Sequence, residues 1–146
     1  LMGDFQKAAE TLDYLLQIDP INAKVMARLS LLYAERLDQA ERALLLAQRA
    51  RSQRPRSPEA LDALGWSYIQ LGQVAKGEKF LQRSIANGET AIAYIHMAQL
   101  VMNEGEYDEA LGHVRLAEEL SRDQYTLDRI RSIKDDIRKK QTFVGQ

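Results

Sequence analysis

The sequence predicts an all-α fold, a solenoid of antiparallel helical hairpins, on three observations. Small and large residues recur with a period of about 34 residues. Within each period the apolar residues fall at helical spacing. Glycine and proline punctuate the text between helical stretches, glycine because it tolerates positive φ and proline because it stops or starts a helix. The small residues Ala8, Ala43, Gly77 and Ala110 recur in this period, and so do Leu12, Ala47, Leu81 and Val114 one turn later. Ser30, Gly65 and Ala98 mark the preceding helices, each followed by a larger residue, Tyr33, Tyr68 and Val101.

Residues 1–22 read as the second helix of a truncated repeat, spanning 4–18. Gly3-Asp4 supply its turn, Ala8, Leu12, Leu15 and Leu16 its apolar face, and Pro20 its end. On this reading the chain is a fragment of a longer array, cut in an exposed turn. The Ala8/Leu12/Leu15 face, covered on one side only, is then a candidate for homo-association through that end. The repeat 23–57 holds helices at 23–36 and 39–53, joined by AERLDQ, which lacks glycine and carries one extra residue.

The repeat 58–90 is the best written. Pro58 is a favoured first-turn residue and Glu59 suits the positive end of a helix. Leu61, Leu64, Gly65 and Tyr68 make one apolar stripe over 58–71. Gly65 in mid-helix is worse than alanine by about 1 kcal/mol, so a close approach of the second helix, 74–87, is expected there. Leucine at Gly65 should overpack the hairpin, and alanine should be nearly neutral, as Ala98 in the equivalent slot suggests. Gly72 ends the first helix and Asn87-Gly88 the second. The repeat 91–122 repeats the scheme with helices at 91–104 and 107–120. Residues 123–141 read as a capping helix, 123–140, with a narrow stripe of Leu127, Ile130, Ile133 and Ile137 and a polar remainder. Residues 142–146 are expected to fray. Residues 1–141 thus form one domain, without strands.

These units resemble the tetratricopeptide repeat, whose signature is a large residue, Leu-Gly, Tyr, then Ala, a large residue and Pro. Leu61, Leu64-Gly65, Tyr68, Gly77, Leu81 and Ser84 fill those slots in one unit. Met26, Leu29-Ser30, Tyr33, Ala43, Ala47, Ala50 and Pro55 fill them in the unit before it. Tyr94, Met97-Ala98, Val101, Ala110, Val114 and Ala117 fill them in the unit after. The resemblance covers residues 3 to about 122. It implies a protein-binding scaffold that takes a peptide or helix of a partner in a concave groove lined by the first helices. The version that clamps a C-terminal carboxylate uses Lys, Asn, Asn, Lys and Arg there. Ala27, Leu31, Ala63, Ile92 and His96 stand in those places here, which argues against a chaperone-tail clamp. LDALGW with an Ala/Arg-rich second helix resembles bacterial arrays, some attached to envelope or exopolysaccharide-export machinery.

Composition narrows the function classes. Twenty basic residues against 21 acidic ones give a net charge of −1, so nothing global steers the chain to nucleic acid or an anionic membrane. The apolar runs fall far short of the roughly 20 residues that span a bilayer, so no direct membrane insertion is expected. Without cysteine there is no thiol nucleophile or thiolate metal site, and cytoplasm and periplasm suit such a chain equally. His96 and His113 stand in no metal-ligand spacing and read as groove or surface residues. Glu104/Glu106 and Asp108/Glu109 flank a turn and a helix start, where carboxylates favour the dipole. No catalytic constellation, metal site or cofactor loop is found, so the chain is not expected to be an enzyme or to carry a cofactor.

Two features remain. QRARSQRPRSP brings Arg49, Arg51, Arg54 and Arg56 together at a helix end and its connector, either as a solvated helix terminus or as a contact for an acidic partner surface. Trp66 lies off the buried stripe of its helix, in line with Asp62 and Ile69. It either packs against the adjacent hairpin or stands on the concave face as an aromatic anchor. The groove reading assigns Arg28, Leu31 and Glu35, then Asp62, Trp66 and Ile69, then Ile95, Gln99 and Met102 to the concave surface. The alternative function is a structural module that stacks on copies of itself.

Overall fold

The computed structural model describes residues 2–145. Among these the chain forms eight helices and no strand: α1 (Met2–Ile18), α2 (Ala23–Glu35), α3 (Ala40–Gln53), α4 (Pro58–Gln70), α5 (Val74–Asn87), α6 (Ala91–Asn103), α7 (Tyr107–Leu120) and α8 (Gln124–Val144). They gather into two compact units, one running through Gly88 and the other starting at Glu89. In the first, α1 packs on α2, α2 pairs with α3, and α4 packs on α2, α3 and its own partner α5. In the second, α6 pairs with α7, and α8 lies against both.

Caps alternate along the chain. The first helix of each hairpin starts with a side chain that accepts a bond from an otherwise orphaned amide. Asn22 Oδ1 accepts from Val25 N at 3.1 Å, Ser57 Oγ from Ala60 N at 3.2 Å and Thr90 Oγ1 from Ala93 N at 3.2 Å. Asp123 does the same for α8, accepting from Thr126 N at 2.8 Å. The second helices, α3, α5 and α7, start without a side-chain cap. Their entry is set by the turn: Gln39, Gln73 and Glu106 donate backbone N–H bonds to Tyr33, Tyr68 and Val101 at 3.0, 2.9 and 2.9 Å.

That comparison explains the turn without glycine. Gly72 and Gly105 adopt φ of 82° and 87° two residues before α5 and α7, and Asp38, two residues before α3, adopts φ of 51°. Aspartate is among the few residues that visit the left-handed region readily, so it fills the glycine's place and the extra residue is absorbed ahead of it.

Within each hairpin the helices cross at paired small residues. In α4–α5 the pair is Gly65 and Gly77, and a Cβ built at Gly65 would stand 2.8 Å from the Gly77 carbonyl oxygen. In α2–α3 the same slots hold Ser30 and Ala43, and the Ser30 hydroxyl donates to the Ala43 carbonyl at 2.7 Å. In α6–α7 they hold Ala98 and Ala110, both fully buried.

The ends depart from expectation. Gly3 lies inside α1 rather than in a turn. On α1 the residues facing α2 are Ala9, buried, and Leu12 and Leu16, half-buried, whereas Ala8 and Leu15 are exposed. Ala43, Gly77 and Ala110 are buried by the first helix of their own hairpins, and α1 packs on no helix but α2. At the other end α8 continues to Val144, where fraying was expected. Gln141 Nε2 donates to Asp108 Oδ1 on α7 at 3.1 Å, and Thr142 Oγ1 to the Arg138 carbonyl at 2.9 Å, which hold the last turns. Gln146, also expected to fray, lies outside the described residues. The buried face of α8 is Thr126, Ile130, Ile133 and Ile137.

Candidate functional site

The concave surface expected from the sequence would be built on α2, α4 and α6, and the three helices differ sharply in how much of themselves they present. On α2, Arg28 is exposed and Leu31 and Glu35 are half-exposed. On α4, every residue from Ala60 to Tyr68 is buried. Asp62 and Trp66 are 1% and 6% exposed, so neither offers a contact surface, and only Ile69 of that trio keeps partial access. Ile95 on α6 is fully buried, while Gln99 and Met102 are half-exposed.

Trp66 illustrates why. Its indole joins a core cluster with Ala9, Leu29, Tyr33, Ala34 and Ala43, all from α1 to α3, with Leu31 and Ile69 packed at the edge. A helix with one partner buries one stripe, which is what the Leu61/Leu64/Gly65/Tyr68 spacing describes. Here α4 has α2, α3 and α5 around it, so the second line of residues is buried as well. The packing alternative for Trp66 is therefore the observed one. His96, expected in a groove or at the surface, is fully buried, and His113 is half-buried against Glu109, Nε2 to Oε1 at 3.6 Å.

The arginine-rich connector lies open. Arg54 and Arg56 line a shallow cleft between the α1–α2 and α3–α4 connectors together with Asp19, Lys24 and Glu59, all exposed and of mixed sign. Arg51, further back on α3, behaves differently. Its guanidinium stands 5.2 Å from the ring centroid of Phe80 on α5. No local pattern announces that contact, because it joins side chains from two different hairpins. Among the described residues no cluster of His, Cys, Asp or Glu is placed to hold a metal ion, and no helix is long and apolar enough to cross a membrane.

The acidities of Tyr33, Asp123 and Tyr94 are displaced. Burial raises the Tyr33 phenol, helped by the Asp13 carboxylate to which it donates at 3.2 Å. Bonds from Thr126 lower Asp123, in keeping with its cap. Tyr94 donates to Glu89 Oε1 at 2.6 Å, and that bond, then burial, pushes its phenol from 10.0 up to about 12. A folded pKa above the unfolded one favours the protonated form, so this contribution to stability is complete below pH 10.0 and is lost as pH rises through about 12. In an ultraviolet titration Tyr94 should ionise above the ordinary phenol value of 10.0, near about 12, and Glu89→Gln should lower it toward 10.0. A Tyr94 phenol that ionises near 10.0 in the wild type would contradict the geometry.

Comparison with known proteins agrees with this architecture. Residues 58–86, the α4–α5 hairpin, match the family model described as tetratricopeptide repeat. No curated protein matches the sequence. Among solved structures, a thermophilic TPR protein of Thermus thermophilus is 24% identical, over 90% of this chain and 73% of that one, with a TM-score of 0.66. Two structures of MamA are 19% and 21% identical, cover 98% and 96% of this chain and 92% and 80% of theirs, and give TM-scores of 0.56 and 0.55. At these identities the likeness is one of fold, that of an all-α helical-repeat solenoid.

Proposed function

We propose that this chain, a tetratricopeptide-repeat protein, holds a peptide or helix of a partner protein against the outer face of α2. Proteins of this fold generally serve as scaffolds for protein–protein contact and are typically not enzymes. The observation that carries the reading is the accessible ladder on α2: Arg28, Leu31 and Glu35, at i, i+3 and i+7, put a cation, an apolar side chain and an anion on one face. Such a face suits an amphipathic segment with one apolar anchor rather than a strongly charged tail. Ile69 in the same unit, and Gln99 and Met102 in the other, are further positions with partial access. Asp62, Trp66 and Ile95 support the helices instead of touching the partner.

A photo-crosslinking residue at Leu31 should capture the partner, whereas the same residue at Tyr125 on α8 should not. Arg28→Glu should then weaken binding about tenfold, equivalent to about 1.4 kcal/mol. Capture at Tyr125 but not at Leu31, or indifference to Arg28→Glu, defeats the reading. A second reading, a structural module that stacks on its own kind within an envelope or export complex, is favoured by the exposed row Tyr14, Leu15 and Ile18 on α1. Sedimentation that depends on concentration without any foreign ligand distinguishes it.

A further inference from the structure

Two guanidinium groups converge on one aromatic ring at the α3–α5 surface. Arg51 stands 5.2 Å and Arg83 5.4 Å from the Phe80 centroid. The ring itself is fixed, stacked on Tyr68 with centroids 5.7 Å apart and planes 15° from parallel. Lys76 Nζ lies 4.5 Å from the centroid of Tyr68 and adds a third cation. Among the described residues no carboxylate lies within ion-pair distance of Arg51, Lys76 or Arg83. The surrounding stretch is basic in a chain whose net charge is −1: residues 39–88 hold eight Lys and Arg against four Asp and Glu, one of which, Asp62, is buried.

We propose that this cluster docks an acidic segment of a partner protein, its carboxylates received by Arg51 and Arg83 on either edge of the Phe80 contact. Like charges held together without a counter-ion raise each other's energy, and an anion relieves that. Arginine pairs with carboxylates through its fork of donors, and the ring holds both forks in place before the partner arrives, so less side-chain freedom is lost on binding. In an extended segment, alternate residues face the same side roughly 7 Å apart, a spacing that lets two acidic side chains reach the two guanidiniums together. The chemistry favours protein over nucleic acid. The Phe80 ring is engaged by Tyr68 and two arginines, so no bare aromatic face remains there for a base to stack on. The cluster shares no residue with the α2 ladder, and either can fail without the other.

The test is fluorescence anisotropy with a dye-labelled peptide of alternating glutamate and alanine. It should bind the wild type in a salt-sensitive manner. Arg51→Ala and Arg83→Ala should each weaken it about tenfold. Phe80→Leu, which keeps both charges and removes the ring, should weaken it to a smaller degree. Arg83→Gln replaces alanine if that variant loses its helical signal. Lys139→Ala on α8 should leave binding unchanged. The proposal is overturned if the arginine variants bind as the wild type does, or if Lys139→Ala weakens binding equally, since that is general charge attraction. Tighter binding of a phosphoserine–alanine peptide or of a short single-stranded RNA also overturns it.

Discussion

Trp66→Ala should destabilise the unit through Gly88 by about 3–5 kcal/mol, the range for deleting a large aromatic side chain from a core. The indole is 6% exposed and belongs to the core cluster that joins α4 to residues of α1, α2 and α3. Its removal takes away contacts on several helices at once, and Ala9, Ala34 and Ala43, the small residues beside it, cannot swell to fill the void. Denaturant unfolding followed by circular dichroism measures the loss. Trp66 is also the only tryptophan of the chain, so its fluorescence in the wild type reports the opening of this core directly. A loss below about 1 kcal/mol would mean that the site collapses freely or that the indole is not packed as described.

The next largest effect is expected from a single methyl group. Gly77→Ala places a Cβ 2.5 Å from the Gly65 carbonyl oxygen and 2.5 Å from Ile69 Cγ1. A flexible side chain could move aside, but a backbone oxygen in the middle of α4 can yield only if the helices separate. The overpacking should cost about 1–3 kcal/mol, enough to exceed the gain of about 1 kcal/mol that alanine brings in helix propensity. Gly65→Ala, which the analogy with Ala98 suggested would be nearly neutral, meets the Gly77 carbonyl oxygen at 2.8 Å and should destabilise too. Leucine at either position should be worse. Thermal melting decides it: a Gly77→Ala protein that melts at or above the wild-type temperature would show that the helices are not in backbone contact there.

How much of this was legible in the sequence depended on the range of the interaction. Where start and stop signals are local, the expected and observed helices coincide: 74–87 and 107–120 match α5 and α7. Gly65 announced a close approach, because a glycine in mid-helix is a loss that only close approach explains. Asp38 was harder, since a residue other than glycine in the left-handed region leaves no compositional mark beyond its own type. The candidate site was read least well. Arg28, Leu31 and Glu35 keep accessible surface, but Asp62, Trp66 and Ile95 do not, and hydrophobic spacing cannot tell a helix with one neighbour from a helix with three. The Arg51–Phe80–Arg83 cluster was invisible for a related reason. Only Arg51 stood out, as a member of the basic run, while Arg83 and the ring that organises the cluster come from another hairpin.

The crossings also bear on how such a chain can be recombined. The slots in question hold Ser30 with Ala43, Gly65 with Gly77 and Ala98 with Ala110. Grafting α3 in place of α5 would set the Ala43 methyl against the Gly65 carbonyl, where even an isolated Cβ has no room. Grafting α4 in place of α2 would strip from Ala43 the hydroxyl that now reaches its carbonyl at 2.7 Å. Each hairpin has matched its two halves to each other at the crossing, so a whole hairpin carries that fit with it and a single helix does not. The interchangeable part, for a protein engineer or for a duplicating gene, is the pair.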